Sequence, residues 1–249
     1  MKSKYQRYYD FLSEHVITPF YENRLNNLNQ LNLRGVLKRK NPYLYKAKNI
    51  ELAGDLVKSI VDAFLSSQEE TIFGNLLEDF AIYVSRTLYG GFKSELKSVD
   101  LEFERDSVYY VVGIKSGTNW GNSDQVNRMR DNFKTAKQIL RERGHAEVVA
   151  VNGCIYGKDR QPFKRHADPD KEYYKYAGQE FWHFISGDHD LYQEIIKPID
   201  TEARQKDEIF KKAYAAKINE MTQDFTNNFM TLDNQIDWLK LIDYVSKRN

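Results

Sequence analysis

Between Val99 and Val151 the chain passes through a hairpin, a helix and a buried strand in that order. This succession restricts the fold more than anything else in the sequence. Val99, Leu101 and Phe103 alternate with Asp100, Glu102 and Glu104, and the run Ser107 to Lys115 is rich in β-formers. A strand pair turning at Arg105-Asp106 is predicted. From Gln125 to about Arg143, the residues Val126, Met129, Phe133, Ala136, Ile139 and Leu140 fall on one helical face, and the apolar run Val148 to Val151 follows Gly144. A strand, a crossover helix and a second strand form a parallel unit, to which the hairpin adds an antiparallel part. The expected fold is α/β: a central mixed β-sheet flanked by helices.

The flanking regions read as helical. Phe11, Val16, Phe20, Leu25 and Leu28 recur at spacings of three to five, which predicts a docking helix pair over residues 5–32. Residues 33–49 read as a basic loop, with a helix beginning near Ile50. Ile72, Phe73, Leu76, Leu77, Phe80, Ala81, Val84 and Leu88 form a wide stripe over Gln68 to Leu88, ended by Gly90-Gly91. Residues 153–176 are polar, aromatic and irregular. Phe181 to Ile185 is expected to be a strand, Asp188 to Ile196 a helix ended near Pro198, and Glu202 to Val245 a charged helical tail. We expect one domain over 1–249, with a core at about 68–197, a helical N-terminal region at 1–67 and a helical C-terminal extension at 201–249.

Bulk composition removes several classes. With 41% hydrophobic and 14% aromatic residues the chain can bury a core, and 29% charged residues argue against an integral membrane protein. No apolar run approaches membrane-helix length and no targeting segment is evident, so a cytoplasmic location without membrane contact is expected. The only cysteine is Cys154, which excludes an intrachain disulfide and a Cys-rich zinc site. A net charge of +1 gives no global argument for a polyanionic partner, and local clusters must carry one.

The hairpin puts chemistry on one face. With a turn at Arg105-Asp106, Asp100 sits opposite Val111 and diagonal to Gly113. Alternation then places Asp100, Glu102, Val111, Gly113 and Lys115 together, while Val99, Leu101, Phe103, Val112 and Ile114 point into the core. A carboxylate beside an ammonium suits cation-assisted phosphodiester hydrolysis. A hard divalent cation takes oxygen ligands such as Asp100 and the Ile114 backbone carbonyl, while Lys115 orients water and offsets developing charge.

Val99-Asp100 followed by Gly113-Ile114-Lys115-Ser116-Gly117 resembles the signature of the PD-(D/E)xK nuclease superfamily, and the preceding helix with Gly74 and Glu78 looks like that family's first core helix. The resemblance covers about Gln68 to Val151. Residues Tyr43 to Asn49 and Lys115 to Gln125 further resemble type II restriction endonucleases. It implies Mg2+-dependent, site-specific cleavage of double-stranded DNA, leaving 5′-phosphate and 3′-hydroxyl ends. A homodimer on a palindromic site and a cognate DNA methyltransferase are implied as well. One position departs: the family expects an acidic ligand at Gly113. Either the ligand has migrated, with Glu78, Glu70 or Glu102 as candidates, or the sequence is an inactivated variant, in which case Gly113→Glu is expected to raise cleavage. The alternatives are a repair or junction-resolving nuclease of the same fold and a catalytically silent DNA-binding protein.

Candidates for DNA contact are the basic, tyrosine-bearing segment with Arg34, Lys38, Arg39, Lys40, Tyr43 and Lys46, and the residues after the lysine, Ser116, Asn119, Trp120, Asn122 and Gln125. Lys158, Arg160, Lys164 and Arg165, past a sheet strand, complete the set. The five histidines show no metal-ligand spacing.

Overall fold

The computed structural model describes residues 4–159 and 171–248, without the side chains of 200, 201, 202, 204 and 205. Its helices are α1 (Gln6–Phe11), α2 (Thr18–Gln30), α3 (Leu33–Leu37), α4 (Pro42–Ala47), α5 (Ala53–Tyr89), α6 (Ser123–Glu142), α7 (Gln179–Ser186), α8 (Leu191–Glu194), α9 (Ile196–Phe229) and α10 (Trp238–Ser246). A π-helical stretch, Leu12–Ile17, joins α1 to α2. The strands are β1 (Phe92–Lys93), β2 (Leu101–Arg105), β3 (Val108–Lys115), β4 (Val148–Cys154) and β5 (Tyr174–Ala177). Among the described residues no helix is long and apolar enough to cross a membrane.

The chain divides into two compact units, one of Met1–Val16 with Phe73–Thr201 and one of Ile17–Ile72 with Glu202–Asn249. The first holds a five-stranded sheet in the order β1-β2-β3-β4-β5. Strands β1, β2 and β3 pair antiparallel, and β3, β4 and β5 pair parallel. The sheet is mixed and flanked by helices, and β3, α6 and β4 form the expected parallel unit.

The hairpin turn lies one residue later than its composition suggested. Asp106 and Ser107 both have positive φ, 54° and 60°, which is what a two-residue type I′ turn demands. Leu101 therefore pairs with Val112 and Glu102 with Val111, a register two residues away from the expected one. A shift of two residues preserves which side each residue faces.

Both faces of the sheet are covered. Leu101, Phe103, Tyr110, Val112, Ile114 and Val151 pack with Leu77, Phe80 and Val84 of α5 and with Phe181, Trp182 and Ile185 of α7. Val111, Val148 and Ala150 pack against Met129, Phe133, Ala136 and Leu140 of α6. Val99 joins this second cluster, not the first core as expected, because it precedes β2 and follows Ser98, whose φ is +59°.

Several local expectations change. Residues 181–185 form part of helix α7 rather than a strand: Phe181, Trp182, Phe184 and Ile185 are all buried, a spacing that suits one helix face against the core. Gly178 (φ +54°) and Gly187 (φ +68°) bracket it. The strand in this region is β5, within the segment that reads as irregular. Pro198 does not end a helix. It lies in the first turn of α9, where its missing N–H costs no hydrogen bond. The helices expected from Ile50 and from Gln68 are one continuous α5.

In the second unit, Leu28, Val36, Leu37, Tyr45, Leu56, Ile60 and Val61 pack with Phe210, Met221, Phe225 and Leu241. The basic segment is not a loop but the two short helices α3 and α4, with Asn32 and Asn41 side chains capping their N-termini.

Candidate active site

The site lies where β3 ends. Asp100 stands just before β2. Its N–H donates to Val112 O at 2.8 Å, which extends the ladder and puts Asp100 level with Gly113. The Asp100 Oδ2 accepts from the Ile114 N–H at 2.6 Å and lies 3.4 Å from Lys115 Nζ. The Lys115 ammonium also donates to the Ile114 carbonyl at 2.8 Å and sits over the Trp120 ring, 5.6 Å from its centroid. Asp100 and Lys115 are thus brought together, each with about a quarter of its side chain exposed (23% and 28%).

Helix α5 supplies the third charge. Gly74 and Glu78 are four residues apart and so share a helix face. A Cβ on Gly74 would lie 2.5 Å from Ser116 Oγ, so the absent side chain lets the end of β3 approach the helix. One turn on, the carboxyl of Glu78 is pushed up by burial and then by the negative charge of Asp100, while Lys93 and Lys115 pull it back. Glu78 is far from solvated, with 20% of its side chain exposed.

Lys93 on β1 completes the cluster and was not found from the sequence. Its Nζ lies 3.3 Å from Glu78 Oε1 and 3.8 Å from Asp79 Oδ1. Burial works against its charge, but Glu78, Asp79 and Asp100 together hold its pKa above the ordinary value. A strand of two residues shows no alternation, so only the preceding Gly90-Gly91 break hinted that the chain resumes here in a new element.

The donors of this cluster fit a hard divalent cation. Asp100 Oδ2 and Ile114 O both contact one ammonium, so the two oxygens already converge on a single positive centre. Among the described residues no group of three His, Cys, Asp or Glu side chains gathers as a metal site, consistent with the glycine at position 113. A Cβ there would meet Ser98 O at 2.8 Å and Phe133 Cζ at 3.1 Å. The room a side chain needs is filled by a backbone carbonyl and a ring, which works against the expected gain from Gly113→Glu.

The other candidates are placed as follows. Glu102 is 4% exposed and accepts from Ser94 Oγ at 2.6 Å and from the Tyr109 hydroxyl at 2.9 Å. Its carboxylate is committed to buried hydrogen bonds. Glu70 is exposed. It belongs to the unit that does not contain Asp100.

Asn122 and Gln125 form a capping box at the start of α6, each side chain accepting from the other's backbone N–H at 3.0 Å. Trp120 packs partly on the α6 cluster, and Asn119 and Lys158 are exposed. Arg160, Lys164 and Arg165 lie outside the described residues.

In the second unit, Lys38, Arg39 and Lys46 stand over the rings of Tyr244, Phe64 and Trp238 at 5.4, 5.6 and 5.3 Å, and Lys40 Nζ donates to Ala63 O at 2.9 Å. These cations are anchored on their own unit, while Arg34 and Tyr43 are exposed.

A mixed sheet between helices, with an aspartate and a lysine meeting at the end of its central strand, is the architecture of the PD-(D/E)xK nucleases. The family model described as type II restriction endonuclease EcoO109I matches residues 9–207. That is well over half of the chain, which belongs to this family of restriction endonucleases. No curated protein matches it. The family's nucleases are typically dependent on a divalent metal, and the family implies DNA binding.

Proposed function

We propose that this protein cleaves duplex DNA at a specific sequence with Mg2+ as cofactor, and that Asp100, Lys115 and Glu78 form its reaction centre. The observation that carries this reading is the shared contact of the Lys115 ammonium with Asp100 Oδ2 and Ile114 O in a member of this family. Asp100, the Ile114 carbonyl and Glu78 would hold the cation. When bound, it supplies concentrated positive charge opposite the phosphate oxygens that gain charge in hydrolysis.

The remaining work falls to side chains of the chain. Lys115 donates hydrogen bonds toward the scissile phosphate and the attacking water, and its fixed charge offsets the charge that develops there. The Ile114 N–H holds the Asp100 carboxylate in one orientation, so no reorganisation is needed when substrate arrives. The face of α5 bearing Gly74 and Glu78 closes one side of the site. In this reading Gly113 is native and Glu78 takes the place of the absent acidic ligand.

The sheet unit is then the catalytic part of a single nuclease domain. Arg34, Lys38, Arg39, Lys40, Tyr43 and Lys46 contribute to DNA contact, together with Ser116, Asn119, Trp120 and Lys158. A homodimer on a palindromic site, protected in the cell by a cognate methyltransferase, completes the proposal, with a cytoplasmic location to match.

Incubation with a long duplex of known sequence and Mg2+, followed by mapping of fragment ends, tests it. Discrete ends at one sequence, lost in Lys115→Ala, are expected. Cleavage that ignores Lys115 refutes the assignment, and cuts confined to junctions or damaged sites favour a repair nuclease instead. One observation supports a second reading, that of a silent DNA-binding protein: position 113 bears no carboxylate. Specific binding without cleavage across Mg2+ and Mn2+ titrations would establish it.

A further inference from the structure

Two lysines are set against the carboxylates of this site, and they differ. Lys115 bridges Asp100 and a backbone carbonyl, the arrangement that the proposed reaction uses. Lys93 instead bridges the carboxylates of α5, Glu78 at 3.3 Å and Asp79 at 3.8 Å, from the edge strand β1. Nothing in the hydrolysis requires it. β1 pairs with β2 through Lys93 opposite Leu101 and Phe92 opposite Glu102, so its ammonium is carried by the same sheet that carries Asp100. Its side chain is 63% exposed, so it is free to leave.

We infer that Lys93 is a resident counter-ion, a positioning residue that holds the Glu78 carboxylate from the sheet edge and competes with the divalent cation for it. The argument rests on the reading of Asp100 and Glu78 as cation ligands. Two like charges at close range separate unless a positive charge stands between or beside them. Lys93 meets that condition for the carboxylates of Glu78 and Asp79. A divalent ion that binds Glu78 must take over from the ammonium, so Lys93 raises the cation concentration at which the site fills. Release also places a mobile positive charge at the mouth of the site, where a DNA phosphate enters.

The sign of the effect is diagnostic. Loss of a structural residue weakens binding, whereas loss of a competing charge tightens it. Removing one unit charge a few ångströms from a divalent ion, at the high effective dielectric of a half-open site, corresponds to about three- to tenfold in affinity.

The test is calorimetric titration of DNA-free protein with Mn2+, comparing wild type with Lys93→Gln, Lys93→Arg and Asp100→Asn. Lys93→Gln is expected to bind about three- to tenfold tighter, Lys93→Arg close to wild type, and Asp100→Asn much more weakly. Unchanged or weaker binding by Lys93→Gln, with Asp100→Asn still defective, overturns the counter-ion role and leaves the cation site standing. Binding that is indifferent to Asp100→Asn removes the cation site and this inference with it.

Discussion

Position 113 separates a native glycine from a lost ligand, and Gly113→Ala is the variant that decides. The added methyl would stand 2.8 Å from Ser98 O and 3.1 Å from Phe133 Cζ. Neither neighbour yields easily. Ser98 is held in the left-handed region (φ +59°), and its hydroxyl accepts a 2.7 Å hydrogen bond from Asn132 Nδ2 of α6. Phe133 is 1% exposed in the α6 core. Overpacking of this kind costs about 1–3 kcal/mol. At about 2–4 °C per kcal/mol for a chain of this size, Tm should fall by about 2–12 °C. Differential scanning fluorimetry of wild type, Gly113→Ala and Gly113→Glu reads this directly. The glutamate variant carries the same Cβ, so it should lose at least as much stability and cleave no better than wild type. A Gly113→Ala protein melting within about 1 °C of wild type would refute the steric argument. A Gly113→Glu protein that is stable and cuts faster would show that an acidic side chain belongs at this position.

Four further outcomes follow from the geometry. Lys115→Ala should lower cleavage by at least about 10²-fold, as removal of a charge-stabilising donor does, and a filter-binding assay without cation should show DNA still bound. Glu78→Gln should raise the Tm of cation-free protein at neutral pH and leave it unchanged at acid pH. Burial and Asp100 raise the carboxyl of Glu78 in the folded state, so its contribution to stability is full below the unfolded value and lost as pH rises through the folded one. The same Glu78→Gln variant should bind Mn2+ more weakly in calorimetry, and equal affinity would return Glu78 to a structural role. Asn122→Ala removes the capping box of α6 and should cost about 0.5–2 kcal/mol in urea unfolding. A loss of DNA affinity without any loss of stability would instead assign Asn122 to recognition.

What the sequence disclosed follows from periodicity, and so do its errors. Alternation from Asp100 to Lys115 gives the faces of the hairpin correctly, Val99 before it excepted, because face assignment depends only on parity. For the same reason alternation is blind to the two-residue difference in register, which turns on whether Arg105 or Ser107 shares the turn with Asp106. The backbone answered with positive φ at Asp106 and Ser107. The run Phe181 to Ile185 is too short for periodicity to separate strand from helix, and its flanking glycines would have favoured the helix. Pro198 suggests a stop from the sequence, but a proline equally marks a helix start.

The site was legible to the extent that its residues lie on elements with a period. Asp100 and Lys115 come from the strands and Glu78 from the helix before them, and the structure brings Asp100 and Lys115 into contact. Lys93 was invisible because its strand is two residues long, and Gly113 was readable only as a departure from a pattern. Its neighbours give that departure a physical content. Ser98 O and the Phe133 ring fill the space a side chain would occupy, and the proposed substitute is Glu78 of α5, with Lys93 beside it. In the proposed reading the acidic charge comes from the helix and not from the strand. If that transfer is functional, Glu78 and Asp100 should couple, the double variant Glu78→Gln/Asp100→Asn costing less Mn2+ affinity than the sum of the single losses, since both report on one bound ion.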